Sequence, residues 1–275
     1  MTDTPHAREV DGPACTGELL DEGALVLRWA PDGREPVLFV HPDVAPRAGT
    51  PPHAGIPVCW PWFGPGPTDD APSHGFARNA VWEHVGTTTE ASGTTVSYRL
   101  TDAEATHPAW PHPYRLELTA VLADTLTISL TTHNTGDEDV VVGEALHAYL
   151  AVGDVREAVV TGLDGARYHD KVTDEDEVQS GDLVLGGRTD RVYCTTGAVV
   201  VEDPVLRRRL RVEADGASCR VVWNPWDDLA ADLDDVGEAW PRFVCVEAAN
   251  VLDDVVTVPA GGSHTLTYRL TVEDA

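Results

Sequence analysis

Along most of this chain apolar and polar residues alternate one for one. The stretches TTVSYRLTD (94–102), YRLELTAVLAD (114–124) and TLTISLTTHNTG (125–136) carry this period of two and are rich in Thr, Val, Ile and Tyr. A period of two sends successive side chains to opposite faces of an extended chain, so these stretches read as half-buried β-strands. DVVVGEALHAYLAV (139–152), RLRVEADGASCRVVWNP (209–225) and SHTLTYRLTVED (263–274) continue the pattern. Turn-forming residues punctuate it at NTGD (134–137), ADG (214–216) and PAGG (259–262). No long segment shows a convincing helical period. The pattern predicts an all-β chain: a large antiparallel sandwich, one domain over residues 1–275, with Pro- and Gly-rich loops along one edge. The acidic run TDEDE (173–177) is expected in a surface loop.

Two long segments break the strand rhythm, 41–80 and 223–242. Loops of this length are functional or disordered, and disordered segments are poor in Trp. These contain Trp60, Trp62, Trp223 and Trp226. A flat indole face suits either a core or a sugar ring, and two such pairs in long loops point to a pocket wall for at least one.

The charge balance removes several classes of partner. With 19 basic and 46 acidic residues the net charge is −27. Phosphate-backbone and anionic-membrane binding need clustered Lys and Arg, so nucleic acid and membrane are not expected as partners. Most of the carboxylates read as a solvated acidic surface. No stretch approaches the roughly 20 apolar residues of a membrane span. The start, MTDTPHAREVDGP, lacks the apolar core of a signal peptide. Cys15, Cys59, Cys194, Cys219 and Cys245 are odd in number and form no CxxC pair, which predicts reduced, mostly buried thiols rather than a disulfide or metal framework. The expectation is a cytoplasmic monomer.

Candidate chemistry narrows by elimination. There is no HxH, HExxH, GxSxG, GxGxxG or GxxxxGK[ST] motif. What remains is general acid–base chemistry from a histidine and a carboxylate, each in an apolar setting able to shift its pKa toward neutrality. His147, inside GEALHAYLAV, and Glu247, inside PRFVCVEAAN, form the best such pair. Each also has a bland reading: His147 as a satisfied core histidine, and Glu247 as a structural carboxylate capping a loop or paired with Arg242.

Seven motifs in order over residues 55–251, GIPVCWPWFG, HGFARN, LHAYLAVGDV, GLDGARYHDK, TDRVY, VVWNPW and CVEAANV, resemble the glucose-6-phosphate 1-epimerases, or hexose-6-phosphate mutarotases, of the aldose 1-epimerase superfamily. The resemblance implies a galactose mutarotase-like antiparallel β-supersandwich that interconverts the α and β anomers of a hexose 6-phosphate without metal or organic cofactor. Carried over by motif, it implies His147 as general acid and Glu247 as general base. It also implies Asp190 as a partner of sugar hydroxyls, Arg78 as a substrate contact and His74 as a residue lining the sugar site. A carboxylate such as Asp190 is expected to help keep His147 protonated. Trp226 is expected to face the sugar.

Two positions depart from the family's pattern. Its Arg-Gly-Gly before Ile-Pro is His53-Ala54-Gly55 here, and the Gln that many members carry before His-Gly-Phe-Ala-Arg is Ser73. Histidine lacks the permanent charge and bidentate fork of arginine. Phosphate recognition is therefore expected to rest mainly on Arg78, with Ser73 and His53 as weaker donors. A neutral-aldose mutarotase, or a sugar-binding sensor without turnover, are the alternatives.

Overall fold

In the computed structural model, which describes residues 5–275, two large antiparallel sheets face each other; the first four residues of the expected domain lie outside the description. The longest strands form a nine-stranded sheet. Its centre runs Arg208–Asp215, Ser263–Asp274, Thr125–Asn134, Tyr114–Leu122 and Gly93–Thr101, and it ends on Glu83–Glu90. The opposing eight-stranded sheet runs Glu175–Val178, Arg167–Asp170, Thr189–Cys194, Cys219–Asn224, Phe243–Asn250, Glu144–Leu146 and Val58–Cys59. Tyr149–Ala151 also pairs with Phe243–Asn250. A three-stranded sheet (Ala7–Asp11, Cys15–Leu20, Leu25–Pro31) and a two-stranded ribbon (Val140–Val142, Val256–Val258) complete the strands.

The alternation in sequence explains this layering. Val96, Tyr98, Leu116, Leu118, Ile128 and Leu130 point inward from one sheet and meet Leu146, Leu150, Val222, Val244 and Val246 from the other in one continuous core. Each fully buried aliphatic side chain of this kind contributes about 1.5–3 kcal/mol.

The structure refines several expected elements. Segment 139–152 is three short strands, Val140–Val142, Glu144–Leu146 and Tyr149–Ala151, rather than one. Segment 209–225 is a corner: Arg208–Asp215 belongs to the nine-stranded sheet and Cys219–Asn224 to the eight-stranded one. The acidic run at 173–177 leads into an exposed edge strand, Glu175–Val178, instead of lying wholly in a loop. A strand exposed on both faces has no apolar alternation to announce it, and its charges discourage further pairing at the edge. Segment 223–242 contains a short helix, Trp226–Ala230, and a 3-10 turn, Gly237–Arg242. Four of the five cysteines are buried, Cys194 is exposed, and all five are free thiols. No helix among the described residues is long and apolar enough to cross a membrane.

Candidate active site

All eight residues of Phe243–Asn250 are buried, and the period of two divides them. Val244, Val246 and Ala248 enter the core between the sheets. Glu247 therefore projects from the other face, together with Phe243 and Cys245. Strand register then sets its neighbours. Leu146 pairs with Ala248 and Tyr149 with Cys245, so continuing the register places His147 opposite Glu247. His147 occupies the two-residue gap between the Glu144–Leu146 and Tyr149–Ala151 strands rather than a strand itself. Its backbone N–H donates to the Pro57 carbonyl at 3.0 Å.

A second row crosses the same face. Cys245 pairs with Trp223 and Trp223 with Asp190, while the Lys171 N–H donates to the Asp190 carbonyl at 2.8 Å. Lys171, Asp190, Trp223 and Tyr149 thus stand side by side on a floor built by four strand connections.

The loop of residues 41–80 supplies the remaining walls. It is anchored by Trp60, which is fully buried and donates from Nε1 to Thr132 Oγ1 at 3.1 Å. The loop folds back so that the Phe76 N–H meets the Trp60 carbonyl at 3.0 Å. Gly75 makes this approach possible: a Cβ there would lie 1.9 Å from the Trp60 carbonyl oxygen, and its φ is +76°. His74, at φ +61°, donates its own N–H to the Gly64 carbonyl at 2.7 Å and turns its ring edge-on to Phe63 and His147. Together floor and loop enclose a cleft of about 280 Å³. That lies at the small end of ligand pockets and suits a single sugar ring.

His147 Nε2 lies 3.3 Å from Glu247 Oε1. Both carboxylate oxygens of Glu247 and Nδ1 of His147 are buried without a hydrogen-bond partner among the described residues. Buried polar atoms are almost always paired, so three unpaired ones on two adjacent side chains mark a site awaiting a polar ligand. Burial pushes Glu247 well above the ordinary carboxylate range, and the charge of Asp190 adds to this while Lys171 and Arg78 oppose it. Burial likewise pushes His147 well below an ordinary imidazole, with His74, Arg78 and His53 acting the same way. Both shifts favour the neutral forms, in which the pair holds one titratable proton between them. His74 is pushed down to about 3, by burial first and then by Arg78 and Lys171, so it serves as a neutral ring.

The cleft is locally cationic. Lys171, the one lysine among 275 residues, lies with Nζ 3.2 Å from Asp190 Oδ2 and 5.4 Å above the Phe63 ring. Arg78 donates from Nη2 to the Ser73 carbonyl at 2.8 Å, and its Nε is buried and unpartnered among the described residues.

Of the residues singled out from sequence, His53, Ser73, His74, Arg78, His147, Asp190 and Glu247 all line this cleft. Trp226 does not. Asn224 Oδ1 accepts its backbone N–H and fixes the turn, and its ring packs on Trp240 at 4.6 Å, so Trp223 takes the wall position instead. The expected support of His147 by Asp190 is also corrected. Asp190 is paired with Lys171, and its charge acts on Glu247, while the carboxyl group beside His147 is that of Glu247 itself. Sequence reasoning missed Lys171, Tyr149 and Phe63. The isolation of Lys171 against eighteen arginines was the available signal. Nothing in the sequence marked Tyr149 or Phe63, whose rings reach His147 only through tertiary packing.

Residues 9–271 match the sequence profile of a family described as aldose 1-epimerase. A protein of Salmonella typhimurium named "Putative glucose-6-phosphate 1-epimerase" is 35% identical over 242 residues, spanning 86% of this chain and 81% of the relative. One of the same name from Escherichia coli K12 is 35% identical over 244 residues, 87% of this chain and 81% of its own length. The crystal structure of a "putative mutarotase (YeaD)" from Salmonella typhimurium superposes with a TM-score of 0.92 at 31% identity, covering 100% of this chain and 92% of that one.

Proposed function

This chain belongs to the aldose 1-epimerase family, and from that premise we propose that it is a hexose-6-phosphate mutarotase, with glucose 6-phosphate as substrate. The observation that carries the chemistry is the His147–Glu247 pair: two buried, mutually adjacent acid–base groups whose polar atoms face a sugar-sized cleft. Ring opening requires a proton to leave the C1 hydroxyl and another to reach the ring oxygen. In this reading the pair's single proton passes from Glu247 to His147 (3.3 Å apart) in the sugar complex; Glu247 then takes the C1 hydroxyl proton and His147 delivers its own to the ring oxygen, and rotation about C1–C2 and reversal of the two transfers close the ring on the other face. A positioned group of either kind contributes about 10²–10⁴-fold. Because the pair carries a single proton, each turnover returns it to its starting state.

The remaining residues divide by charge. Asp190 and the neutral rings of His74 and Trp223 would hold sugar hydroxyls and the apolar ring face. Arg78 and Lys171 would attract an anionic substituent, and they are the reason for preferring a phosphosugar over a neutral one. The five unpaired thiols support a reducing compartment, and the cytoplasm is the proposed one.

The test is anomer exchange followed by NMR on glucose 6-phosphate, glucose and galactose, with and without protein. Acceleration of glucose 6-phosphate well beyond the free sugars is the expected result. Acceleration of the neutral sugars alone would move the substrate to a neutral aldose, and acceleration of none would remove the enzymatic reading for all three.

A further inference from the structure

His53 is the only histidine of the cleft whose counter-charge lies outside it. Asp235 Oδ1 sits 2.8 Å from His53 Nδ1, and Asp235 Oδ2 accepts the His53 backbone N–H at 2.8 Å. One carboxylate thus fixes both the backbone and the ring. Asp235 does not line the cleft; it lines a neighbouring cavity of about 190 Å³, with His53 forming the partition between the two. On the cleft side the His53 ring stacks on Trp223 at 6.3 Å and meets Tyr149 edge-on at 6.2 Å. Burial works to raise Asp235, but the hydrogen bonds and charge of His53 outweigh it and hold the carboxyl below its ordinary value.

We propose that Asp235 and His53 form a positioning dyad that aims the His53 Nε2 at the anionic end of the substrate, making His53 a specificity-determining residue for the phosphorylated sugar. The proposal rests on the phosphosugar reading above and adds a residue, Asp235, to it. With Nδ1–H donated to Asp235, Nε2 is the nitrogen left for a ligand; it donates to the substrate when the ring carries both protons, the second arriving with the phosphate. The arrangement differs from that of Lys171. The Lys171 ammonium is already countered inside the cleft by Asp190 at 3.2 Å, whereas Asp235, the carboxylate paired with the His53 ring, lies outside the cleft that His53 lines. A substrate anion therefore meets the positive end of the dyad without first displacing a carboxylate.

The surrounding charges are consistent with this direction. Asp234, His41 and Arg47 line the neighbouring cavity together with Asp235. In the cleft, Arg78 and Lys171 are the cations an anion would share with His53. Asp190 is engaged with Lys171, and burial shifts Glu247 and His147 toward their neutral forms.

The experiment measures equilibrium binding of 1,5-anhydroglucitol 6-phosphate and of 1,5-anhydroglucitol, which have no anomeric hydroxyl and cannot open, so that binding is read apart from turnover. The affinity ratio of phosphorylated to unphosphorylated ligand is compared among wild type, His53→Ala, His53→Arg, Asp235→Asn and Lys171→Met. Loss of one charge-assisted hydrogen bond predicts a fall of about tenfold in the ratio for His53→Ala. A fall of about threefold is expected for Asp235→Asn, and a ratio at or above wild type for His53→Arg. A high wild-type ratio that survives His53→Ala, or that only Lys171→Met removes, overturns the dyad alone. Equal losses for both ligands would show a structural role and also overturn it. A wild-type ratio near one removes the phosphosugar reading itself.

Discussion

Glu247 is a carboxylate in the middle of a strand whose eight members are all buried, and its two oxygens have no partner among the described residues. A merely structural carboxylate in that position would be tied to a donor, since a buried unsatisfied group costs about 1–3 kcal/mol or more. Substitution by glutamine keeps the shape and removes the base. Glu247→Gln is expected to lower kcat by about 10²–10⁴-fold while leaving binding of a non-opening analogue in place, which calorimetry and NMR exchange distinguish. The pH profile follows from the directions of the two shifts. His147 is depressed, so the acid limb, where the pair takes up a second proton, lies below the ordinary imidazole value. Glu247 is raised, so the alkaline limb, where the pair loses its last proton, lies above the ordinary carboxylate value. Between the two limbs kcat/KM is expected to be level once the substrate's own phosphate titration is removed. An acid limb at or above the ordinary imidazole value would refute a neutral His147 in the free protein.

The strands that carry these residues are held by a second buried cluster. Glu144 opens the strand leading to His147, and Asn250 ends the strand carrying Glu247; the two are paired in register. Asn250 Nδ2 donates to Glu144 Oε1 at 3.0 Å, and His264 Nε2, from the nine-stranded sheet, lies 2.9 Å from the same oxygen. The hydrogen bond to Glu144 raises the His264 pKa against the opposing effect of burial. A raised folded-state pKa adds stability that is fully present below the unfolded value and is lost as pH rises through the folded one. Thermal unfolding from about pH 5.5 to about 9 is expected to show a melting temperature that declines across the imidazole range. His264→Gln should remove that component of the decline. An unchanged slope in the variant would show that other groups carry it.

At the scale of the whole molecule, the cleft is assembled from segments between His53 and Glu247, almost two hundred residues apart. The wall formed by the 41–80 loop depends on its attachment to the core through Trp60, which packs within 4.7 Å of Trp110 and 4.5 Å of Tyr114. Trp60→Ala is expected to cost about 3–5 kcal/mol in denaturant unfolding. It should also weaken sugar binding by releasing the Phe76 and His74 backbone, whereas Trp60→Phe should be milder on both counts. A stable Trp60→Ala variant with native affinity would show the loop to be held elsewhere. The cleft also carries cations within a chain of net charge −27. Selectivity for an anion must then come from short-range contacts with Arg78, Lys171 and His53, because the long-range field of the molecule repels one.

By itself the sequence determined the all-β class, because a period of two over 94–102, 114–124, 125–136 and 263–274 admits little else. It also singled out His147 and Glu247 as the candidate acid–base pair, because a glutamate within FVCVEAAN and a histidine within EALHAYL are costly residues in apolar segments and the ordered family motifs contain both. Tertiary structure alone decided which side chains surround them. Sequence offers no measure of strand register, yet register is what sets His147 opposite Glu247 and aligns Lys171, Asp190 and Trp223 in one row. Likewise, Trp223 and Trp226 are three residues apart and chemically alike. A strand's alternation turns one into the cleft, and a capped turn sends the other against Trp240. Asp235 reaches His53 only because the backbone brings together two loops 182 residues apart, a distance over which local propensity carries no information.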